Sequence, residues 1–141
     1  MNGAIGTPRF PSTSSSSGSS LRATGPRADS HPVVLPHHRL VAYTVALELL
    51  SSVRSAQVRD PKLREESLRS AKSACLNTAE GAGRVSRPDK ARSFAIARAE
   101  AGEAAAAVEI AASCGDATAA SSAEVNRVAD RLVALLTGLI R

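Results

Sequence analysis

The chain has 141 residues, a formal net charge of +5 and 43% apolar residues, with two phenylalanines, one tyrosine and no tryptophan. Without the Ser-, Thr-, Gly- and Pro-rich residues 1–36, 105 residues remain, enough for one small domain and too few for two. So few aromatic side chains argue against a stacking platform for single-stranded nucleic acid. No stretch approaches the roughly 18–20 apolar residues of a membrane span, so we expect a cytoplasmic protein with no membrane partner.

Residues 1–36 are predicted to be a disordered tail and residues 37–141 to be the folded domain. The tail holds five of the seven prolines and lacks the apolar side chains needed to offset the entropy of ordering it. Its three arginines and one aspartate give it a charge of +2, which leaves +3 on the domain. That excess is compatible with binding a polyanion but does not require it.

Helix start and stop signals divide the domain into four segments of similar length, without the alternation of strands. The first helix is predicted over residues 37–55. The second begins at Asp60 and Pro61, an N-cap followed by the proline that a first turn tolerates. It is predicted to end at Gly81 or Gly83.

The third predicted helix starts at Ser86 and Asp89, which have capping-box spacing, and runs to residue 114 with Gly115 as its C-terminal cap. The fourth starts at Ser121 and Glu124, again with capping-box spacing, and runs to the C-terminus. Short connections restrict the topology of such helices. We therefore predict an all-α, antiparallel up-down-up-down four-helix bundle with a disordered N-terminal tail.

The first and third helices each carry apolar residues on two faces. An apolar second face on a soluble helix normally contacts another chain, so we predict a homo-oligomer. The alternative is that exposed alanines reflect helix propensity alone. The large residues assigned to the second face, and so to the oligomer interface, are Val41, Val45, Leu49, Ile96 and Ile110.

Catalytic and metal-binding patterns are missing from the sequence. No histidine follows His38, whereas a di-iron bundle needs Glu-x-x-His pairs and nucleophilic triads need a histidine within the domain. Cys75 and Cys114 lie among alanines in predicted helices, which favours buried thiols over a disulfide or a metal pair. We therefore expect a protein that is not an enzyme and has no cofactor, metal site or catalytic residue.

Three polar residues occupy positions where they would need partners. Glu103 lies within the second apolar face of the third helix, and Asn77 and Glu80 lie on the second helix away from its Ala/Cys face. We interpret them as structural or interface residues, since a carboxylate covered by an interface needs a cationic partner. The alternative is that the carboxylates are solvated. The candidate partners are Arg69, Arg84 and Arg92.

Basic residues cluster on the second helix and at the start of the third, facing few acidic residues. Repeated around an oligomer axis, they would multiply weak contacts to phosphates of RNA or DNA and would not read base edges. The alternative is a salt-bridged face, to which Glu65, four residues before Arg69, would contribute. The residues predicted to contact phosphates are Arg69, Lys72, Arg84, Arg87, Lys90 and Arg92.

Residues 77–81 read NTAEG and continue as AGRVS, and FAIARAEAGE follows from residue 94. The chain resembles the four helix bundle proteins encoded in intervening sequences of bacterial 23S ribosomal RNA genes. In that family the second helix ends in Asn-Ile-Ala-Glu-Gly-x-Gly-Arg, and the third carries Ile-Ala-x-Gly-Ser-x-x-Glu, whose last residue corresponds to Glu103. The resemblance covers about residues 37–141, with Thr78 in place of Ile and Ala99-Glu100 in place of Gly-Ser.

The resemblance implies an antiparallel bundle that assembles as a homopentamer and has no established enzymatic activity. It also implies similarity to the accessory variability protein of diversity-generating retroelements, which binds nucleic acid through a basic surface. We therefore expect a non-catalytic, oligomeric, nucleic-acid-associated binding or scaffold protein. The alternative is a purely structural assembly or protein interaction module.

Overall fold

The computed structural model describes residues 33–141 without a gap and, before them, residues 3, 6–9, 11–12, 14 and 18. The chain divides into one unit over Met1–His31 and another over Pro32–Arg141, and the helices of the described residues lie in the second. The predicted disordered tail falls largely outside the described residues and stays a prediction.

The second unit consists of one short 3-10 helix and four α-helices. The 3-10 helix covers Pro36–Arg39, and the α-helices are α1 (Val41–Ser55), α2 (Pro61–Gly83), α3 (Arg87–Ser113) and α4 (Ala119–Ile140). No strand occurs among the residues described, so the predicted all-α class is confirmed. In the same part of the chain, no helix combines the length and the apolar character needed to cross a membrane.

Side-chain caps start α2 and α3 where the sequence predicts them. The Asp60 carboxylate accepts a hydrogen bond from the Leu63 amide at 2.8 Å, and the Ser86 hydroxyl accepts one from the Asp89 amide at 3.2 Å. Gly115 ends α3 with a φ of 81°, in the left-handed region that glycine adopts without strain.

Two predicted helix starts are wrong by about one turn. The cap of α4 is Thr118, whose hydroxyl accepts from the Ser121 amide at 3.0 Å, and not Ser121 itself. The helix extends to this earlier cap because Ala119 and Ala120 between the two candidates favour helix. At the other end of the domain, α1 starts at Val41 and not at residue 37, since extended backbone at Leu40 separates it from the 3-10 helix.

Cross-helix contacts show the antiparallel arrangement. Arg69 in the first half of α2 contacts Glu103 just past the middle of α3, while Gly81 near the end of α2 contacts Phe94 early in α3. The connection between α1 and α2 meets the one between α3 and α4, where the Arg59 amide donates to the Asp116 carbonyl at 2.8 Å. Two connections at one end are what an up-down-up-down bundle requires.

The core is built largely from alanine. Twelve of the 23 buried apolar residues are alanines, and the largest fully buried side chains are Leu49, Leu132 and Leu136. On α2 the buried polar residues are also small, namely Ser67, Ser70 and Thr78. Small side chains allow close approach of helices, and Gly81 packs directly against the Phe94 ring. Gly81 therefore lies inside α2, which ends at Gly83.

Candidate nucleic-acid interface

The candidate interface lies along α2 and α3. Beside the end of α2 and the start of α3 it forms a cleft of about 360 Å³. Asn77 on the cleft wall donates to the Ser73 carbonyl at 2.9 Å, which fixes the amide one turn back along its own helix. Glu80 accepts from the Arg84 guanidinium four residues later. The residues lining this cleft are Asn77, Glu80, Arg84, Asp89, Arg92, Ser93 and Ile96.

A second charged cluster joins the first half of α2 to the middle of α3. The Arg69 guanidinium donates to Glu66 on its own helix and to Glu103 Oε1 across the interhelical groove at 3.0 Å. The hydrogen bond from Arg69 lowers the pKa of Glu66 to about 2, while the neighbouring Glu66 carboxyl group raises the pKa of Glu103. One guanidinium group therefore donates hydrogen bonds to two carboxylates. The intrahelical partner is Glu66, three residues away, and not Glu65.

Ion pairing divides the six predicted phosphate-contacting residues into two groups. Arg69 and Arg84 are paired with carboxylates, and Arg87 donates to the backbone carbonyl of Arg141. The charges of Arg69 and Arg84 are therefore offset within the protomer, and some of the donors of Arg87 are already used. The remaining three have no ion pair among residues 33–141, and they are Lys72, Lys90 and Arg92.

The predicted second apolar face is exposed on α3. On α1, two of the three residues assigned to it are buried. Ile96 and Ile110 are 42% and 52% exposed, and Val41 is 58% exposed. Val45 and Leu49 are fully buried inside the protomer, so their assignment to an intersubunit face is wrong. The physical reason is that the face of α1 carrying Val45 and Leu49 meets α2 and α4, which leaves other residues of α1 exposed.

Some of the exposed residues of α3 recur at a regular spacing. Six of them lie at intervals of four, three, four, three and four residues, which places them in one stripe along the helix. This spacing is typical of a seam between packed helices. The residues of this stripe are Arg92, Ile96, Ala99, Glu103, Ala106 and Ile110.

The two cysteines differ in environment. Cys75 is buried and donates to the Ala46 carbonyl at 3.2 Å, and burial raises the pKa of its thiol to about 11. Cys114 is exposed at the end of α3, so its predicted burial is wrong, because the helix ends there. Both thiols are free, and no group of three or more His, Cys, Asp or Glu within the described part of the chain is arranged to hold a metal ion.

Sequence reasoning did not predict a site at the end of the bundle where the α1–α2 and α3–α4 connections meet, although three arginines lie there. Arg54 lies in the last turn of α1, Arg59 in the following connection and Arg64 in the first turns of α2. Together they line a cleft of about 460 Å³. They are separated by five residues each and belong to different elements, so neither helical nor strand periodicity groups them.

Comparison with known proteins supports the assignment to a family. No curated protein matches the chain. The family model described as 23S rRNA-intervening sequence protein matches residues 40–138, which include all of α1, α2 and α3 and most of α4. The matched region also contains the Asn77–Gly81 motif and Glu103. This chain therefore belongs to the 23S rRNA-intervening sequence protein family.

Proposed function

We propose that this protein is a non-catalytic, homo-oligomeric scaffold that binds the phosphate backbone of nucleic acid through cations on α2 and α3. The observation that carries the proposal is the exposed stripe on α3, in which Ile96 and Ile110 accompany Arg92. Assembly through the part of this stripe from Ile96 to Ile110 would cover the isoleucines and leave Arg92, one turn before Ile96, at the edge of the contact, beside cations of the neighbouring protomer.

The placement of exposed apolar residues suits a ring. α1 and α3 each pack against both α2 and α4, so α1 and α3 occupy opposite corners of the bundle. Val41 is exposed on α1, and Ile96 and Ile110 on α3. Contacts between two different surfaces of successive protomers generate closed rings when the rotation closes. A homopentamer, which the family resemblance implies, is one such ring.

Assembly is tested first, by light scattering and native mass measurement of the full chain. We expect the wild-type protein to be oligomeric and Ile110→Glu to dissociate it, since a carboxylate would have to be buried in the contact. Leu139→Glu is the matched control, because Leu139 is also partly exposed but lies on α4. A monomeric wild-type protein, or equal behaviour of the two variants, would contradict the proposed interface.

Nucleic-acid binding is tested by a salt titration with mixed-sequence RNA and DNA. Each phosphate contact contributes about 0.7–0.9 to the slope of log affinity against log salt concentration. We expect Lys72→Gln, Lys90→Gln and Arg92→Gln each to reduce that slope. Absence of salt-dependent binding at low ionic strength would refute the proposal.

A purely structural assembly or protein interaction module is the second candidate function. It is favoured by the pairing of Arg69 and Arg84 with carboxylates, which reduces the charge that α2 offers to a polyanion. An oligomer that forms normally but shows no salt-dependent binding to RNA or DNA would support this candidate.

A further inference from the structure

The end of the bundle where the α1–α2 and α3–α4 connections meet carries a basic cleft. Its volume is about 460 Å³, and its lining residues are Arg54, Gln57, Val58, Arg59 and Arg64. Three guanidinium groups line this cleft, and no carboxylate does. It lies at the opposite end of α2 from Arg84, separated from it by roughly 30 Å at about 1.5 Å per residue.

The guanidinium of Arg64 is held without being neutralised. Its Nε donates to the Val58 carbonyl at 2.8 Å, and its Nη2 donates to the Arg59 carbonyl at 3.0 Å. Carbonyl oxygens carry no formal charge, so the full positive charge of Arg64 remains. The side chain is also ordered in advance, which reduces the entropy lost on binding a ligand. Its remaining N–H groups are available as donors.

The other two arginines, Arg59 and Arg54, differ in how many contacts they make within the protein. Arg59 donates from Nη2 to the Gly115 carbonyl, and its Nε lies 4.0 Å from Asp116 Oδ1 in a contact that is largely exposed. An exposed pair at this distance contributes little attraction in water. Arg54 forms no ion pair and no side-chain hydrogen bond with any residue in the range 33–141. It is exposed and can turn toward a ligand in the cleft.

From this arrangement we infer that the cleft binds a phosphate group, either as free phosphate or as a phosphodiester of nucleic acid. Planar guanidinium groups donate paired hydrogen bonds that match the geometry of phosphate oxygens. Here Arg64 supplies a preformed donor, Arg59 supplies a second, and Arg54 closes over the anion. The inference does not depend on the proposed α2–α3 surface, because none of the cations named there contacts the cleft.

The test follows arginine side-chain Nε–H signals by NMR in the full-length protein, with inorganic phosphate in one arm and a short mixed-sequence RNA in the other. Arg54→Gln is the diagnostic variant, because the structure gives Arg54 no contact whose loss would disturb folding. Arg39→Gln is the matched control, since it removes the same charge in the 3-10 helix that precedes α1. We expect the Arg59 and Arg64 signals to shift, and Arg54→Gln to weaken binding about tenfold, corresponding to one charge-assisted hydrogen bond.

The two arms identify the source of the phosphate. Saturable shifts with inorganic phosphate support a site for free phosphate, and shifts with RNA alone support a phosphodiester ligand. The inference is overturned if neither probe shifts these signals, or if Arg54→Gln binds as tightly as Arg39→Gln. RNA binding that is lost in Arg92→Gln and unchanged in Arg54→Gln would overturn this inference and leave the proposed α2–α3 surface standing.

Discussion

Replacing Gly81 by alanine should destabilise the protein, although alanine is the better helix former. A Cβ at residue 81 would lie 2.6 Å from Cε1, 2.7 Å from Cδ1 and 3.0 Å from Cζ of Phe94. The atoms met are a rigid ring that is only 4% exposed, so the clash cannot be relieved by moving a flexible chain end. Overpacking of a core costs about 1–3 kcal/mol, against a helix-propensity gain of about 1 kcal/mol. We expect a net loss of about 1 kcal/mol in the free energy of unfolding.

Gly102→Ala is the matched control, because Gly102 is also inside a helix but a Cβ there would meet nothing within 4 Å. This variant should gain about 1 kcal/mol from helix propensity alone. The assay is urea unfolding followed by circular dichroism at one fixed protomer concentration, since assembly would make stability depend on concentration. The difference of about 2 kcal/mol between the variants lies well above the error of such fits.

A double mutant separates the clash from other effects of the substitution. In Gly81→Ala/Phe94→Leu the ring is removed, so the added methyl group should cost less than it does beside Phe94, and the two substitutions should not be additive. Equal stabilisation by Gly81→Ala and Gly102→Ala would refute the close approach of α2 and α3 at this position. So would strict additivity in the double mutant.

Three further predictions follow from individual contacts. Arg69→Gln should raise the pKa of Glu66 from about 2 toward its ordinary 4.5, measured by NMR titration. A carboxylate whose pKa is lowered on folding stabilises the folded state at pH values above its unfolded-state pKa. The wild-type protein should therefore lose this stabilisation as the pH falls from 4.5 toward 2, and the variant should not. In the native protein a thiol reagent at neutral pH should label Cys114 rapidly and Cys75 only on unfolding, and rapid labelling of both would contradict the burial of Cys75. Thr118→Ala should lower the free energy of unfolding by about 1 kcal/mol through loss of the α4 cap, whereas an unchanged urea midpoint would place the cap elsewhere.

The outcome at the helix ends shows where local sequence is sufficient. The caps at Asp60 and Ser86 and the end at Gly115 were predictable because each depends on hydrogen bonds or backbone angles within a few residues. Thr118 and Ser121 are both possible caps of α4, and the helix propensity of the two alanines between them selects Thr118. The capping-box spacing alone selects Ser121, which is wrong.

The candidate site was predictable as a list of residues but not as an arrangement. Sequence placed cations and carboxylates on α2 and α3 and named Arg69 among three candidate partners of Glu103, yet it could not choose between the three, since Arg69 lies 34 residues away. It therefore could not separate the paired arginines from Lys72, Lys90 and Arg92.

The sequence by itself determined four helices and their order, because helical periodicity, capping and short connections are local properties. Only the tertiary structure decided which face of α1 is buried, since Val45 and Leu49 form one of two comparable apolar faces until α2 and α4 cover it. It also brought Arg54, Arg59 and Arg64 around one cleft. Periodicity describes one helix at a time, whereas burial and charge depend on what the neighbouring helices and connections place opposite each residue.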